Sequence, residues 1–124
     1  MYYSVLTGKF QFILWLAYWY MQADSFEFEW DTGNLSKSAR KHEVSIDEVE
    51  SLFELKLAVP LGRQVSPPVS EERLCLVGPT AKGQMISVVF TLREGRVRPI
   101  SSRAASKKER NLYEEVRKIT QRIR

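Results

Sequence analysis

A single cysteine, a single histidine and the lack of any apolar run of bilayer length bound what this 124-residue chain can be. Cys75 has no second cysteine to bond, so no intramolecular disulfide can form and nothing points to an oxidising compartment. A zinc site of cysteine and histidine takes three or four such ligands, and Cys75 and His42 are the only two. A Cys–His nucleophilic pair needs a reactive thiolate, yet Cys75 sits in RLCLVG, which reads as the core of a strand. There is no glycine-rich phosphate loop, no repeat and no low-complexity segment. The adjacent Glu71 and Glu72 fall in a loop and make a weak acid–base pair. No cofactor and no metal is expected.

The most apolar run is Phe10 to Met21, FQFILWLAYWYM. A bilayer needs roughly 20 such residues, so no membrane span is expected and a cytoplasmic protein is. A signal-peptide core has about this length, with Lys9 before it and Ala23 near a conceivable cut, but Met21 stands where a small residue belongs. The favoured reading takes Met21 as the start. Residues 1–24 are then a hydrophobic extension, dispensable over residues 1–20, and residues 25–124 the domain, with an additional helix or an interfacial segment as the alternative.

What is present is a globular composition, 44% hydrophobic and 27% charged, of a length suited to one core. Charge is divided unevenly. Residues 1–60 carry 5 Lys/Arg against 9 Asp/Glu, or −4, and residues 61–124 carry 14 against 6, or +8. A basic half suits a polyanionic partner.

Phe26, Phe28 and Trp30 alternate with acidic residues and predict a half-buried strand. Asp31 can cap a helix with the stripe Leu35, Ala39, His42. Ser45 and Glu48 then form a capping box before Ile46, Val49, Leu52 and Phe53, which predict a helix ending near Leu55 or Lys56. Leu61 to Glu72 reads as a loop, with Gly62, Pro67 and Pro68. Strands are expected at Arg73–Val77, Met85–Leu92 and Arg96–Ser102, as an antiparallel meander, with Pro99 awkward inside the third. Ser106 and Glu109 form a second capping box, and Leu112, Val116, Ile119 and Ile123 give the last helix an apolar stripe. The fold class is α+β, a small antiparallel sheet packed with helices in the order β-α-α-β-β-β-α.

The densest charge lies where the last strand hands over to that helix, in VRPISSRAASKKERNLY. Arginine offers a planar fork that matches phosphate oxygens. Arg96 and Arg98 share a strand face, Arg93 can join them, and Arg73 lies on a neighbouring strand. Arg103, five residues beyond Arg98, nominally takes the opposite face. Lys107 and Lys108 oppose the dipole of the last helix unless an anion binds there. The competing reading is surface pairing of Arg103 and Arg110 with Glu109, Glu114 and Glu115. A site of arginine, lysine and one histidine suits metal-independent RNA cleavage, in which cations stabilise the phosphorane and other groups move protons. His42, with an ordinary pKa near 6.5, is the best proton carrier, although it also falls on an apolar stripe.

The segments FEFEWD, KHEVSIDEVESLF, EERLCLVG and ISVVFTLREGRVRPISSRAASKKERNLY resemble the BrnT toxin family of type II toxin–antitoxin modules. Arg98, Ile100, Ser101, Arg103, Ala105, Glu109, Arg110 and Tyr113 fit its last motif, and Trp30, Asp31, Lys41, His42 and Val44 its first. The resemblance covers about residues 26–117. It implies a ribonuclease toxin with a RelE-like fold, acting on RNA and neutralised by a BrnA-like ribbon-helix-helix antitoxin. The hetero-oligomer would repress its own operon, touching operator DNA only through the antitoxin. Four positions depart from the pattern: Asn34 in place of Lys, Ser38 in place of Asn, Glu43 in place of Gly, and Pro99 in place of an apolar residue. Two functions stay open. In one, Arg98, Arg103 and Arg73 hold phosphate, Lys41 or His42 moves the proton, and Lys37, Arg96, Lys107 and Arg110 bind RNA. In the other, a catalytically degenerate toxin serves only as an antitoxin-binding corepressor.

Overall fold

Four strands, β1 (Val59–Gln64), β2 (Arg73–Pro79), β3 (Met85–Arg93) and β4 (Arg96–Ala104), form one antiparallel sheet in chain order. This is a computed structural model, and it describes residues 14–34, 44–64 and 73–123. Helices are α1 (residues 14–22), a turn at residues 32–34, α2 (Ile46–Leu55) and α3 (Lys107–Ile123). The α+β class and the order of elements are those expected. Glu94 and Gly95 join β3 to β4 with φ of 52° and 79°, the pair of positive angles that a tight type I′ hairpin uses.

Strand β1 reaches into a segment expected to be loop. Pro60 and Gly62 are breakers, but β1 is an edge strand, and a register shift between these two residues absorbs them. The opposite edge, β4, is covered by the segment around Phe28, which bridges Val97 in parallel. Val97 N–H donates to Glu27 O and Glu29 N–H to Val97 O, both at 2.8 Å. The expected first strand is thus a single bridge, though Phe26, Phe28 and Trp30 do turn to the core.

Strand β4 carries a bulge. Phe90 pairs with Pro99 and Val89 with Ser101, so Ile100 is the extra residue. A proline that cannot donate to the ladder is accommodated at such a break. The bulge also resets the alternation. Arg98 lies opposite Thr91 and Arg103 opposite Ser87, four residues apart on β3 and therefore on one face. The two arginines, nominally on opposite faces, share one.

Each face has its own core. On the first, Leu74, Leu76, Ile86, Val88, Phe90 and Val97 meet Val49, Leu52 and Phe53 of α2 and Leu16 and Tyr20 of α1. Phe53 is the hub of an aromatic cluster, with ring centroids 5.0 Å from Phe90, 5.5 Å from Phe28 and 5.6 Å from Phe26. On the second face, Val59 and Val77 meet Ala105 and Tyr113 at the start of α3.

This packing bears on two expectations. Leu16 and Tyr20 are fully buried, and Tyr20 Oη donates to Leu52 O at 2.7 Å while accepting from Ala58 N–H at 3.1 Å. Lys56 Nζ adds bonds to Met21 O and Ala23 O. Residues 14–22 are therefore packed on the first core, and residues 1–13 of the expected extension lie outside the described residues. The alternative reading, an additional helix, describes them. The stripe of α3 is also turned: Tyr113 is buried and Val116 half-buried, whereas Leu112 and Ile119 face solvent.

Candidate functional site

Part of the second sheet face lies beyond the small core under α3. Arg73 and Cys75 of β2, Val89 of β3 and Ser101 of β4 are half-buried there. Arg98 and Arg103 stand on the same face along β4. Arg73 is two strands from β4, not on its neighbour, or about 10 Å across the ladder. Among the described residues, the Arg73 side chain makes no hydrogen bond or ion pair, while its backbone pairs with Gln64 in the ladder.

The two β4 arginines do not converge on one phosphate. Arg103 turns towards α3, where Nη1 and Nη2 reach Glu109 Oε1 and Oε2 at 2.8 and 3.0 Å. Nη1 also donates to Ala104 O at 3.1 Å. Glu109 is placed by the second capping box: Ser106 N–H donates to its Oε1, and its own N–H donates to Ser106 Oγ. Ser87 Oγ donates to Glu109 Oε2 at 3.2 Å and lies 3.4 Å from Cys75 Sγ. Arg103, Glu109, Ser87 and Cys75 thus form one polar chain across three strands and a helix end. Arg103 keeps 43% of its side chain exposed.

The charge states follow from these contacts. Burial works to raise the Glu109 carboxyl, but the Arg103 and Ser106 hydrogen bonds prevail and hold it below the usual range. Glu109 in turn pushes Arg103 above the ordinary arginine value. Burial drives the Cys75 thiol up, against the Ser87 bond, so at neutral pH it is a thiol and a poor nucleophile.

Arg98 turns the other way. Its Nη1 reaches Asp31 Oδ2 at 2.7 Å and Glu29 Oε1 at 3.3 Å, and its Nη2 reaches Asp31 Oδ1 at 3.3 Å. Only 13% of its side chain is exposed. Asp31 Oδ1 also caps the helical turn at residues 32–34, accepting from Gly33 and Asn34 N–H, as its position before that helix suggests. Its carboxyl is held down first by the Arg98 hydrogen bond. Arg98 therefore ties the edge segment to β4, and its fork already holds carboxylates where a phosphate clamp would need it open.

Asn34 completes that tie. It is buried; its Nδ2 donates to Glu29 O at 2.9 Å and Pro99 O at 3.1 Å, and its Oδ1 accepts from Asp31 N–H at 2.7 Å. Two departures from the family pattern, Asn34 and Pro99, are thus bonded to each other. Replacing Asn34 by Ala leaves three backbone groups without this partner. The expected cost is about 2–4 kcal/mol, read as a lower urea midpoint with an unchanged slope.

The remaining expected RNA contacts divide. Arg96 is exposed, 3.8 Å from Glu94 in the hairpin. Arg110 spends Nη1 on Ala105 O at 3.0 Å. Lys107 is exposed at the start of α3. Lys37, Lys41 and His42 lie outside the described residues, as do Ser38 and Glu43. The Arg103–Glu109 pair is one of the surface pairs that the sequence offers, whereas the pairing of Asp31 with Arg98 has no counterpart there. The signal for Glu109 was its place six residues after Arg103, close enough for a chain that turns at Ser106 to bring them together.

The family model described as the ribonuclease toxin, BrnT, of a type II toxin-antitoxin system matches residues 30–109, more than half of the chain. The chain belongs to the BrnT toxin family. Membership makes it a type II ribonuclease toxin by family, with an antitoxin as partner. The match runs from Trp30 to Glu109, so it takes in the Arg98 tie and ends on the carboxylate that holds Arg103. No curated relative matches the chain. Among the described residues, no helix is long and apolar enough to cross a membrane, and no three His, Cys, Asp or Glu side chains group as metal ligands.

Proposed function

We propose that this BrnT chain cleaves RNA without a metal, on the second sheet face. Arg103 is the principal cation for the scissile phosphate and Arg73 a second phosphate contact. The observation that supports this most is the Arg103–Glu109 pair: the carboxylate grips one edge of the guanidinium while 43% of the side chain stays open to solvent. A donor fork held in place before the substrate arrives stabilises a developing phosphorane without further ordering. Glu109 is ionised and hydrogen-bonded, so its basicity is low and its role is to position Arg103. Proton transfer falls to His42 or Lys41. Arg96 and Lys107, both exposed, extend the cationic surface for the RNA strand, with Lys37 and Arg110 as lesser contacts.

The antitoxin, of ribbon-helix-helix type, neutralises the toxin by covering this face and carries the pair to operator DNA, which represses the operon. A catalytically degenerate corepressor is the second reading. It is favoured by Asn34, which stands where the family pattern has Lys and is buried in the Arg98 tie, away from any RNA. Purified chain incubated with single-stranded RNA separates the two. Cleavage is expected to proceed unchanged in EDTA. Intact RNA at every salt concentration, with antitoxin binding retained, establishes the corepressor. Cleavage abolished by EDTA and restored by a divalent cation overturns the metal-free mechanism.

A further inference from the structure

Helix α3 carries more apolar surface than the sheet uses. Among its described side chains, Tyr113 and Val116 pack on the second core. Leu112 and Ile119 stand 42% and 56% exposed, two turns apart, about 10.5 Å along the axis. They form an aliphatic ridge beside the buried side of the helix. Among the described residues, exposed Lys108, Asn111 and Lys118 flank its outer side together with Glu115.

We propose that this ridge is the docking surface for the antitoxin, through an amphipathic segment whose apolar residues straddle Leu112 and Ile119 and whose flanks are acidic. The inference rests on the antitoxin partner that family membership implies, and it does not depend on the chain being an active nuclease. Aliphatic side chains give bases no ring to stack on, so RNA binds better on the arginine face than on this ridge. A second copy of the chain would bring the same cationic flank against itself. A flank rich in Asp and Glu satisfies these lysines, and apolar side chains at helical spacing fill the ridge, the helix-face mode of recognition. Leu112 lies one turn beyond Glu109, so a segment seated on the ridge and running back along α3 arrives at the Arg103–Glu109 pair. Docking here therefore places the antitoxin where it can close the RNA face.

The test uses the full chain and, as probe, the purified product of the reading frame adjoining its gene. The ridge variant is Leu112→Asp with Ile119→Asp. The control is Leu14→Asp with Tyr18→Asp, on the exposed side of α1. Affinity by calorimetry, melting temperature and RNA cleavage are measured for each. The ridge variant is expected to bind at least 100-fold more weakly, with melting temperature and any cleavage unchanged, and the control to bind like the original chain. Equal affinity in the ridge variant overturns the proposal, and a loss confined to the control moves the interface to α1. A wild-type dimer in light scattering that the ridge variant abolishes makes a second copy the occupant and also overturns it. A probe that fails to bind even the original chain removes the partner reading on which the proposal stands. Absence of cleavage in all variants bears only on the nuclease reading.

Discussion

A chain that begins at Met21 is expected to lose most of its stability. Removing the preceding residues deletes Leu16 and Trp19 together with Tyr20, whose ring packs against Phe26 and Phe53. Trp19 stacks on Phe90 with centroids 5.9 Å apart. Truncating one buried Leu to Ala costs about 2–5 kcal/mol, and one aromatic about 3–5 kcal/mol. Removing both side chains of the fully buried pair approaches the whole 5–15 kcal/mol of a typical domain. Leu52 O and Ala58 N–H also lose the Tyr20 hydroxyl that satisfies them. The truncated chain is expected to melt at least 20 °C below the full one, or without a cooperative transition. Tyr20→Phe isolates the polar share: the ring stays, two hydrogen bonds go, and the expected loss is about 1–3 kcal/mol. A truncated chain that melts with the full one would show that α1 adds nothing to the first core.

The place of residues 14–22 in the core is not legible from local composition. Composition marks Phe10 to Met21 as unlike the rest of the chain, and a segment apolar all round reads as foreign to a domain that begins at Phe26. The aromatic hub around Phe53 needs a lid, however, and α1 supplies it with Leu16, Trp19 and Tyr20. Local patterns were reliable where the cause is local. Ser45 caps α2, the Ser106–Glu109 box opens α3, and the Glu94–Gly95 turn closes its hairpin. The arginine faces were not legible, because strict alternation separates Arg98 from Arg103 and only the register across β3 reveals the bulge at Ile100. Pro99 was the available hint, an oddity that marks the break. Partner choice was legible for Arg103, whose pairing with Glu109 is local, and not for Arg98, whose partner Asp31 is 67 residues away. Arg98 and Arg103 look equivalent in sequence, but each takes its role from carboxylates that reach it by tertiary structure or by a turn.

Arg98→Lys and Arg103→Lys are therefore expected to fail in different ways. At Arg98, Lys loses the fork that binds Asp31 through two nitrogens and reaches Glu29 with one of them. The edge segment and the cap of the turn at residues 32–34 loosen together, because Asp31 serves both. The melting temperature should fall, and activity should follow the folded fraction. At Arg103 the pair sits nearer solvent, with 43% of the arginine side chain exposed, so its contribution to stability is screened and small. Lys keeps the charge but cannot both hold Glu109 with two donors and present a planar edge to phosphate. Losing one preorganised donor from a developing anion costs roughly 10²–10³ in rate. Arg103→Lys is accordingly expected to cleave RNA about 100-fold or more slowly, with its melting temperature within a few degrees of the original. Glu109→Gln should do the same to a lesser degree, since the amide still accepts one bond from Arg103 but no longer orders both nitrogens. Equal losses of cleavage in both lysine variants at unchanged stability would return Arg98 to the phosphate. Full cleavage in Arg103→Lys would take the scissile phosphate away from Arg103 and pass it to Arg73, Arg96 or the basic start of α3.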